Sequence, residues 1–227
     1  MRVVLFDIDG TLVLTGGAGG RAMTRAFADL FGVADAFRDI PMPGRTDAWI
    51  LADAATAHGV PHSSLDRFHD VYLRHLAAEL EKPAARKAVM PGIRPLLDRL
   101  AVRDDVFLAL LTGNYQEAAR AKLEHFDLWK YFRCGAFGDA APDRNGLLPK
   151  AIERVRGCGL PHAAPGDAVV VGDTPLDVAC AAAGGARSIA VATGAYSAEA
   201  LRNAGADVVF EDLSDTNTVI RWLMADG

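Results

Sequence analysis

The sequence predicts an α/β protein: a parallel sheet covered by helices on both faces, interrupted once by an all-helical insert. Short apolar runs alternate with longer stretches of helical spacing, which is the rhythm of βαβ units. Those runs are continuous and not alternating, as expected for strands buried on both faces. One stretch, residues 15–88, carries helical patterns only. The 227 residues allow one large domain, or a core with a smaller insert, at roughly 150 residues per domain. A composition of 51% hydrophobic and 23% charged residues can bury a core, and it excludes disordered, collagen-like and coiled-coil chains.

In chain order, the first strand is expected at 3–6 (VVLF). The insert follows, with helices over 21–31, 47–58 and 65–80. Glycine-rich Gly16-Gly17-Ala18-Gly19-Gly20 opens it and Met90-Pro91-Gly92 lies just beyond it, which is the composition of hinges. The α/β core is therefore 1–14 with 89–227. The pattern Gly17-x-Gly19-x-x-Ala22 resembles a dinucleotide-binding turn, but that turn directly follows a strand, and here about ten residues intervene. After the insert come a helix (93–102), a strand (106–111), a helix (116–125), a weaker strand within 131–137 and a helix (148–156). Strands at 168–171, 187–192 and 207–210 then alternate with helices at 176–183, 198–203 and 217–224.

Lys plus Arg is 24 against 29 for Asp plus Glu, a net charge of -5. Such a chain has no overall field for nucleic acid or an anionic membrane, so any phosphate must be gripped locally. No apolar run approaches the ~18 residues of a membrane helix. The few apolar residues before Asp7 are too short for a secretory leader. Cys134, Cys158 and Cys180 are odd in number and widely spaced, which fits buried hydrophobes in a reducing compartment and neither zinc nor disulfides. The expectation is a cytoplasmic protein without nucleic-acid or membrane partners. Nothing in the sequence speaks to oligomeric state.

The chemistry gathers at strand ends, where open α/β sheets bind ligands. Asp7-Ile8-Asp9-Gly10-Thr11 follows the first strand. Residues i and i+2 share a face, so the two carboxylates require a cation or a shared proton, although Asp-Gly alone is also a common turn. Thr112-Gly113-Asn114 opens a helix and suits an anion. In Gly172-Asp173-Thr174-Pro175-Leu176-Asp177, Thr174 reads as an N-cap with Pro175 at the first helical position, and Asp177 lies one turn along. Asp143-Arg144-Asn145 precedes another helix, with Lys150 close by. Four such segments at one edge exceed what helix capping requires.

These segments resemble the haloacid dehalogenase-like (HAD) hydrolase superfamily, in particular its phosphoglycolate phosphatase-like members with a helical cap. DIDGT at 7–11, LLTGN at 110–114 and VVGDTPLD at 170–177 carry the likeness. The family's remaining basic residue corresponds to Arg144 or Lys150, without the commoner lysine–proline pair. The resemblance implies a Rossmann-like core with an inserted cap at 15–88, and a Mg²⁺-dependent phosphatase for a small phosphorylated metabolite. Asp7 would be the nucleophile that forms an aspartyl-phosphate, and Asp9 the general acid and base. Asp7, the backbone carbonyl of Asp9, Asp173 and, through a water, Asp177 would hold the metal. Thr112, the amide of Gly113, Asn114 and Arg144 or Lys150 would grip the phosphoryl group. Asp9 points to phosphate esters, because an expelled halide needs no proton. A phosphomutase shares these motifs. A receiver-like signalling module also uses an acidic pocket on a parallel sheet, but it lacks a cap.

Within the insert, Arg45 of Pro43-Gly44-Arg45-Thr46-Asp47 is the candidate for substrate specificity, while Thr46 or Asp47 caps the next helix. His58, His62, His69 and His75 read as surface residues; Trp49, Trp129 and Trp222 read as packing. The insert is expected to move as a body over Asp7 on its glycine hinges.

Overall fold

The computed structural model describes residues 1–141 and 143–225. Eight strands and nine α-helices are arranged along these residues. The strands are β1 (Arg2–Phe6), β2 (Val13–Thr15), β3 (Lys87–Val89), β4 (Val106–Leu111), β5 (Gly135–Ala136), β6 (Ala168–Gly172), β7 (Arg187–Val191) and β8 (Val208–Phe210). Six of them form a parallel sheet in the order β5-β4-β1-β6-β7-β8.

The central strand fixes the geometry of the site. Phe6 is in register with Leu110 on one side and with Val171 on the other. Asp7, Thr112 and Asp173 therefore emerge together at one sheet edge. The ladder runs one residue past β1 and β4: the Asp7 amide donates to the Val171 carbonyl (2.9 Å) and the Thr112 amide to that of Ala136 (3.1 Å).

Strand side chains alternate between two apolar layers, as the period of two requires. Val4, Phe6, Leu108, Leu110, Val169 and Val171 pack under α4 (Ile93–Ala101), α5 (Gln116–His125) and α9 (Thr216–Met224). Val3, Leu5, Phe107, Ala109 and Val170 pack under α6 (Leu147–Gly157) and α7 (Pro175–Gly184). A smaller cluster, Val178, Ala190 and Leu201, seats α8 (Ala198–Asn203).

The insert has its own core. Helices α1 (Ala18–Phe31), α2 (Asp47–Ala57) and α3 (Phe68–Leu80) enclose Met23, Phe27, Leu51, Phe68, Tyr72 and Leu76. Phe27 packs edge-on against Phe31, Phe37 and Phe68.

Local differences from the sequence expectation have physical causes. β2 and β3 pair antiparallel, Val13 with Val89 and Thr15 with Lys87, so a two-stranded ribbon carries the chain into and out of the insert. Three residues per strand are too few to show a period. α1 begins at Ala18, so Gly19 and Gly20 are helical, and only Gly16 and Gly17 of the glycine run take positive φ (62° and 81°). The expected 131–137 strand shrinks to two residues, because a 3₁₀ turn at Trp129–Tyr131 precedes it and Phe132 and Phe137 turn into the core. Of the cysteines only Cys180 is buried; Cys158 is exposed and Cys134 partly so. Among the described residues no helix is long and apolar enough to cross a membrane.

Candidate active site

Three carboxylates converge where β1 and β6 end. Asp7, Asp173 and Asp177 are buried, and one oxygen of each lies within 4.8 Å of the others. A tight turn places Asp7 and Asp9: the Leu12 and Val13 amides both donate to the Ile8 carbonyl, and Gly10, at φ 86°, donates to the carbonyl of Val13. A capping box at the start of α7 places Asp177, whose Oδ2 accepts the Thr174 amide (3.0 Å) and hydroxyl (2.7 Å). Asp173 Oδ1 accepts the Thr11 hydroxyl at 3.2 Å.

One cation answers these three anions. Arg144 is itself buried; its Nη2 donates to Asp177 Oδ1 and lies 3.1 Å from Asp7 Oδ1. Burial raises Asp7 to about 6, against the opposing pull of Arg144. Asp173 is raised well above the ordinary carboxylate range, first by burial and then by Asp177 and Asp7. With all three ionised, the cluster carries more negative charge than its arginine neutralises. Hard oxygen donors with surplus negative charge fit a divalent cation such as Mg²⁺.

Asp9 stands apart from that cluster. Its half-exposed carboxylate accepts the Asn114 side-chain amide (2.9 Å) and the Lys122 ammonium (2.6 Å) on Oδ2. Lys122 also donates to Asn114 Oδ1 (2.5 Å), and Asn114 Nδ2 donates to Thr112 Oγ1 (2.8 Å). Asn114 therefore orients Asp9 in the structure and does not cap α5. Lys122 was not expected from the sequence. Its signal is a lysine in the buried row of α5, beside Ala118, Ala119 and Leu123.

The insert closes over this edge and leaves a cavity of about 570 Å³ lined by both parts of the chain. The Gly44 carbonyl accepts Arg144 Nη1 (2.9 Å), the Asp47 amide donates to the Gly113 carbonyl (2.7 Å), and Asp47 Oδ2 accepts the Tyr115 amide (2.9 Å). Burial raises Asp47 to about 6, with Lys122 opposing the shift. Thr46 caps α2 through the Trp49 amide.

One expected residue lies elsewhere, and another is engaged within the insert. Lys150 is exposed on α6 and pairs with Glu153 at 3.1 Å, so Arg144 is the cation at the carboxylates. Lys150 falls off the buried face made by Leu147, Leu148, Ala151, Ile152 and Val155. Arg45 lines the cavity, but its guanidinium stacks on Trp49 (3.9 Å) and bonds Asp53 (2.5 Å) and the Pro41 carbonyl (2.9 Å). It braces the insert from within. His69 and His75 pair with Glu117 and Asp29, which are not part of the Asp7–Asp173–Asp177 cluster.

Residues 1–185 match the family described as haloacid dehalogenase-like hydrolase. The chain is 31% identical over 220 residues to the phosphoglycolate phosphatase of Rhodospirillum rubrum, covering 94% of this chain and 88% of that one. It is 26% identical over 227 residues to the phosphoglycolate phosphatase of Chromobacterium violaceum, covering 95% and 94%. Among solved structures, CbbY from Rhodobacter sphaeroides in complex with phosphate superposes with a TM-score of 0.71 at 22% identity, covering 95% and 96% of the two chains. Parallel sheet, acidic strand ends and similarity over nearly the whole length agree: the chain belongs to the haloacid dehalogenase-like hydrolases, as a phosphatase-type member resembling their phosphoglycolate phosphatases.

Proposed function

We propose that this chain is a Mg²⁺-dependent phosphatase that hydrolyses a small phosphorylated metabolite in the cytoplasm through an aspartyl-phosphate. One observation carries the reading. Two carboxylates separated by one residue are held in opposite environments, Asp7 buried beside Arg144 and Asp9 half-exposed on Lys122 and Asn114. Paired carboxylates in different surroundings divide nucleophile from acid–base work.

Asp7 attacks phosphorus in line through a carboxylate oxygen, and the bond to the ester oxygen breaks. Asp9 gives the departing oxygen its proton, then takes one from the water that attacks the aspartyl-phosphate. That second displacement releases inorganic phosphate and restores the Asp7 carboxylate. Arg144, the Thr112 hydroxyl and the backbone at Gly113 neutralise the phosphoryl oxygens as charge spreads over them. Asp7, Asp173, the Asp9 carbonyl and, at one remove, Asp177 are the residues that would hold Mg²⁺, which when bound supplies charge to the phosphoryl oxygens. Residues 15–88 act as a cap that excludes water during the first step and admits it for the second.

Phosphate release from a panel of phosphorylated metabolites with Mg²⁺ tests this reading and separates it from a phosphomutase, which frees no phosphate. Asp7→Asn removes both nucleophile and anionic ligand and is expected to abolish release. Near-wild-type activity in that variant would overturn the mechanism.

A further inference from the structure

We infer that Lys122 and Tyr72 form a seat for an uncharged oxygen on the leaving group, next to Asp9, so that the preferred substrates are phosphate esters of polyols. This rests on the phosphatase reading and narrows it to a substrate class. Tyr72, on α3 in the insert, is fully buried and lines the cavity, and its hydroxyl has no hydrogen-bond partner among the described residues. A phenylalanine would fill the same volume without burying a polar group, so the hydroxyl is unexplained by packing. Lys122, on α5 in the core, has three N–H donors and spends two, on Asp9 and Asn114.

The two tips meet at one place. A Cβ on Gly19 would stand 3.4 Å from Lys122 Nζ and 3.9 Å from the Tyr72 hydroxyl oxygen. Gly19 lies inside α1, where glycine is less stable than alanine, and what its bare backbone provides is room between the two donors. Two convergent donors beside an unfilled side-chain position suit an oxygen acceptor. Lys122 Nζ is 2.6 Å from Asp9 Oδ2, so the two tips are adjacent. A substrate could therefore place its ester oxygen at Asp9 and the next oxygen at Lys122. Met23, Met42 and Ile50 line the same cavity and suit the carbon skeleton.

Charge decides which oxygen. Lys122 is matched by Asp9, Arg144 by Asp7 and Asp177, and Arg45 by Asp53. Arg86 also lines the cavity, but it is exposed, where solvent screens it. Asp47 adds a further buried carboxylate near Lys122. A substrate carboxylate in this recess would meet Asp9 and Asp47 with no unmatched buried cation among the described residues to receive it, whereas a hydroxyl brings no charge.

Three two-carbon esters differ only at the second carbon: ethyl phosphate, 2-hydroxyethyl phosphate and 2-phosphoglycolate. With Mg²⁺, kcat/KM for the hydroxyethyl ester should exceed that for the ethyl ester by about tenfold and also exceed that for phosphoglycolate. Tyr72→Phe should pull the hydroxyethyl-to-ethyl ratio toward one. Each ratio is formed within one protein, so partial losses of fold or metal cancel. Gly19→Ala, which suits a helix and fills the gap, should lower the same ratio and serves if Tyr72→Phe fails to fold. An equal ratio in the wild type, an unchanged ratio in both variants, or phosphoglycolate as the best ester would overturn the inference. p-Nitrophenyl phosphate is the control. Its hydrolysis together with any of those three results refutes the polyol seat alone, whereas no release from any of the four esters refutes the phosphatase reading as well.

Discussion

Arg144 Nη1 donates to the carbonyl of Gly44, 2.9 Å away, while Nη2 faces Asp7 and Asp177. One side chain in the loop before α6 thus binds both the Asp7 carboxylate and the insert that covers it. The seating of residues 15–88 and the electrostatics of Asp7 are read by a single planar fork.

Arg144→Lys keeps the charge but cannot present two rigid donor directions at once. The expected result is a fall in kcat/KM of about 10²-fold, the scale of losing one preorganised donor at a developing charge. Steady-state kinetics with Mg²⁺ would check it. A loss under about threefold would mean that charge alone suffices here.

Gly113 makes a second test of that closure. A Cβ at this position would lie 2.2 Å from the Arg45 carbonyl oxygen and 3.0 Å from the Thr46 Cα, both backbone atoms that cannot swing away. Gly113→Ala should wedge the Arg45–Asp47 segment off the sheet edge and break the bond from the Asp47 amide to the Gly113 carbonyl. We expect native far-UV circular dichroism with kcat/KM reduced by about tenfold or more, since small misplacements near the reacting groups are costly. Full activity in this variant would show that the contact is dispensable.

How much of this was legible in sequence depended on whether a residue's partners are near or distant. Asp7, Thr112 and Asp173 were readable because continuous apolar runs end beside them, and parallel register brings such ends to one edge. Lys122 was not, since its partners Asp9 and Asn114 are 113 and 8 positions away and a helical lysine reads as a solvent residue. Arg45 is the opposite case: it lines the cavity, and Trp49 and Asp53, one and two helical turns on, hold its guanidinium through contacts local in sequence. Arg144 and Lys150 were separable in principle, because Lys150 lies off the apolar stripe of α6 whereas Arg144 precedes it.

Protons and metal should compete for the same carboxylates. Burial raises Asp7 from its unfolded value of 3.8 to about 6, so between those values the folded chain holds a proton that the unfolded chain has released. Without metal, this group's contribution to stability therefore falls as pH rises through about 4 to 6, and the loss is complete above that. A shift of this size corresponds to at most about 3 kcal/mol. On the proposed function Mg²⁺ would bind the deprotonated cluster and offset the loss, so it should raise Tm by several degrees at pH 7.5 and by little at pH 5. Thermal melts with Mg²⁺ or with EDTA at both values would check the sign. In the same way, the acid limb of kcat/KM should move to lower pH as Mg²⁺ is raised. A Mg²⁺ effect on Tm that is equal at both pH values would count against metal binding by Asp7, Asp173 and Asp177.

Asp9 should show its role through the leaving group. Its carboxylate sits outside the Asp7–Asp173–Asp177 cluster, so replacing it leaves that donor set in place, and the Asp9 backbone carbonyl is retained by any substitution. An alkoxide leaves poorly without a proton, whereas a p-nitrophenolate needs little help. Asp9→Asn keeps the hydrogen bond to the Asn114 or Lys122 side of the recess but can neither donate an acidic proton nor accept one from water. General acid–base catalysis is typically worth about 10²–10⁴ in rate. We therefore expect alkyl phosphates to lose most of that range in this variant. The first step with p-nitrophenyl phosphate should be spared, while hydrolysis of the aspartyl-phosphate slows because no base activates water. The predicted signature is a burst of p-nitrophenol close to one equivalent, followed by slow turnover, measured by rapid mixing with Mg²⁺. If the alkyl and aryl esters lose rate equally and no burst is seen, Asp9 does not transfer the proton and its bonds to Lys122 and Asn114 serve structure alone.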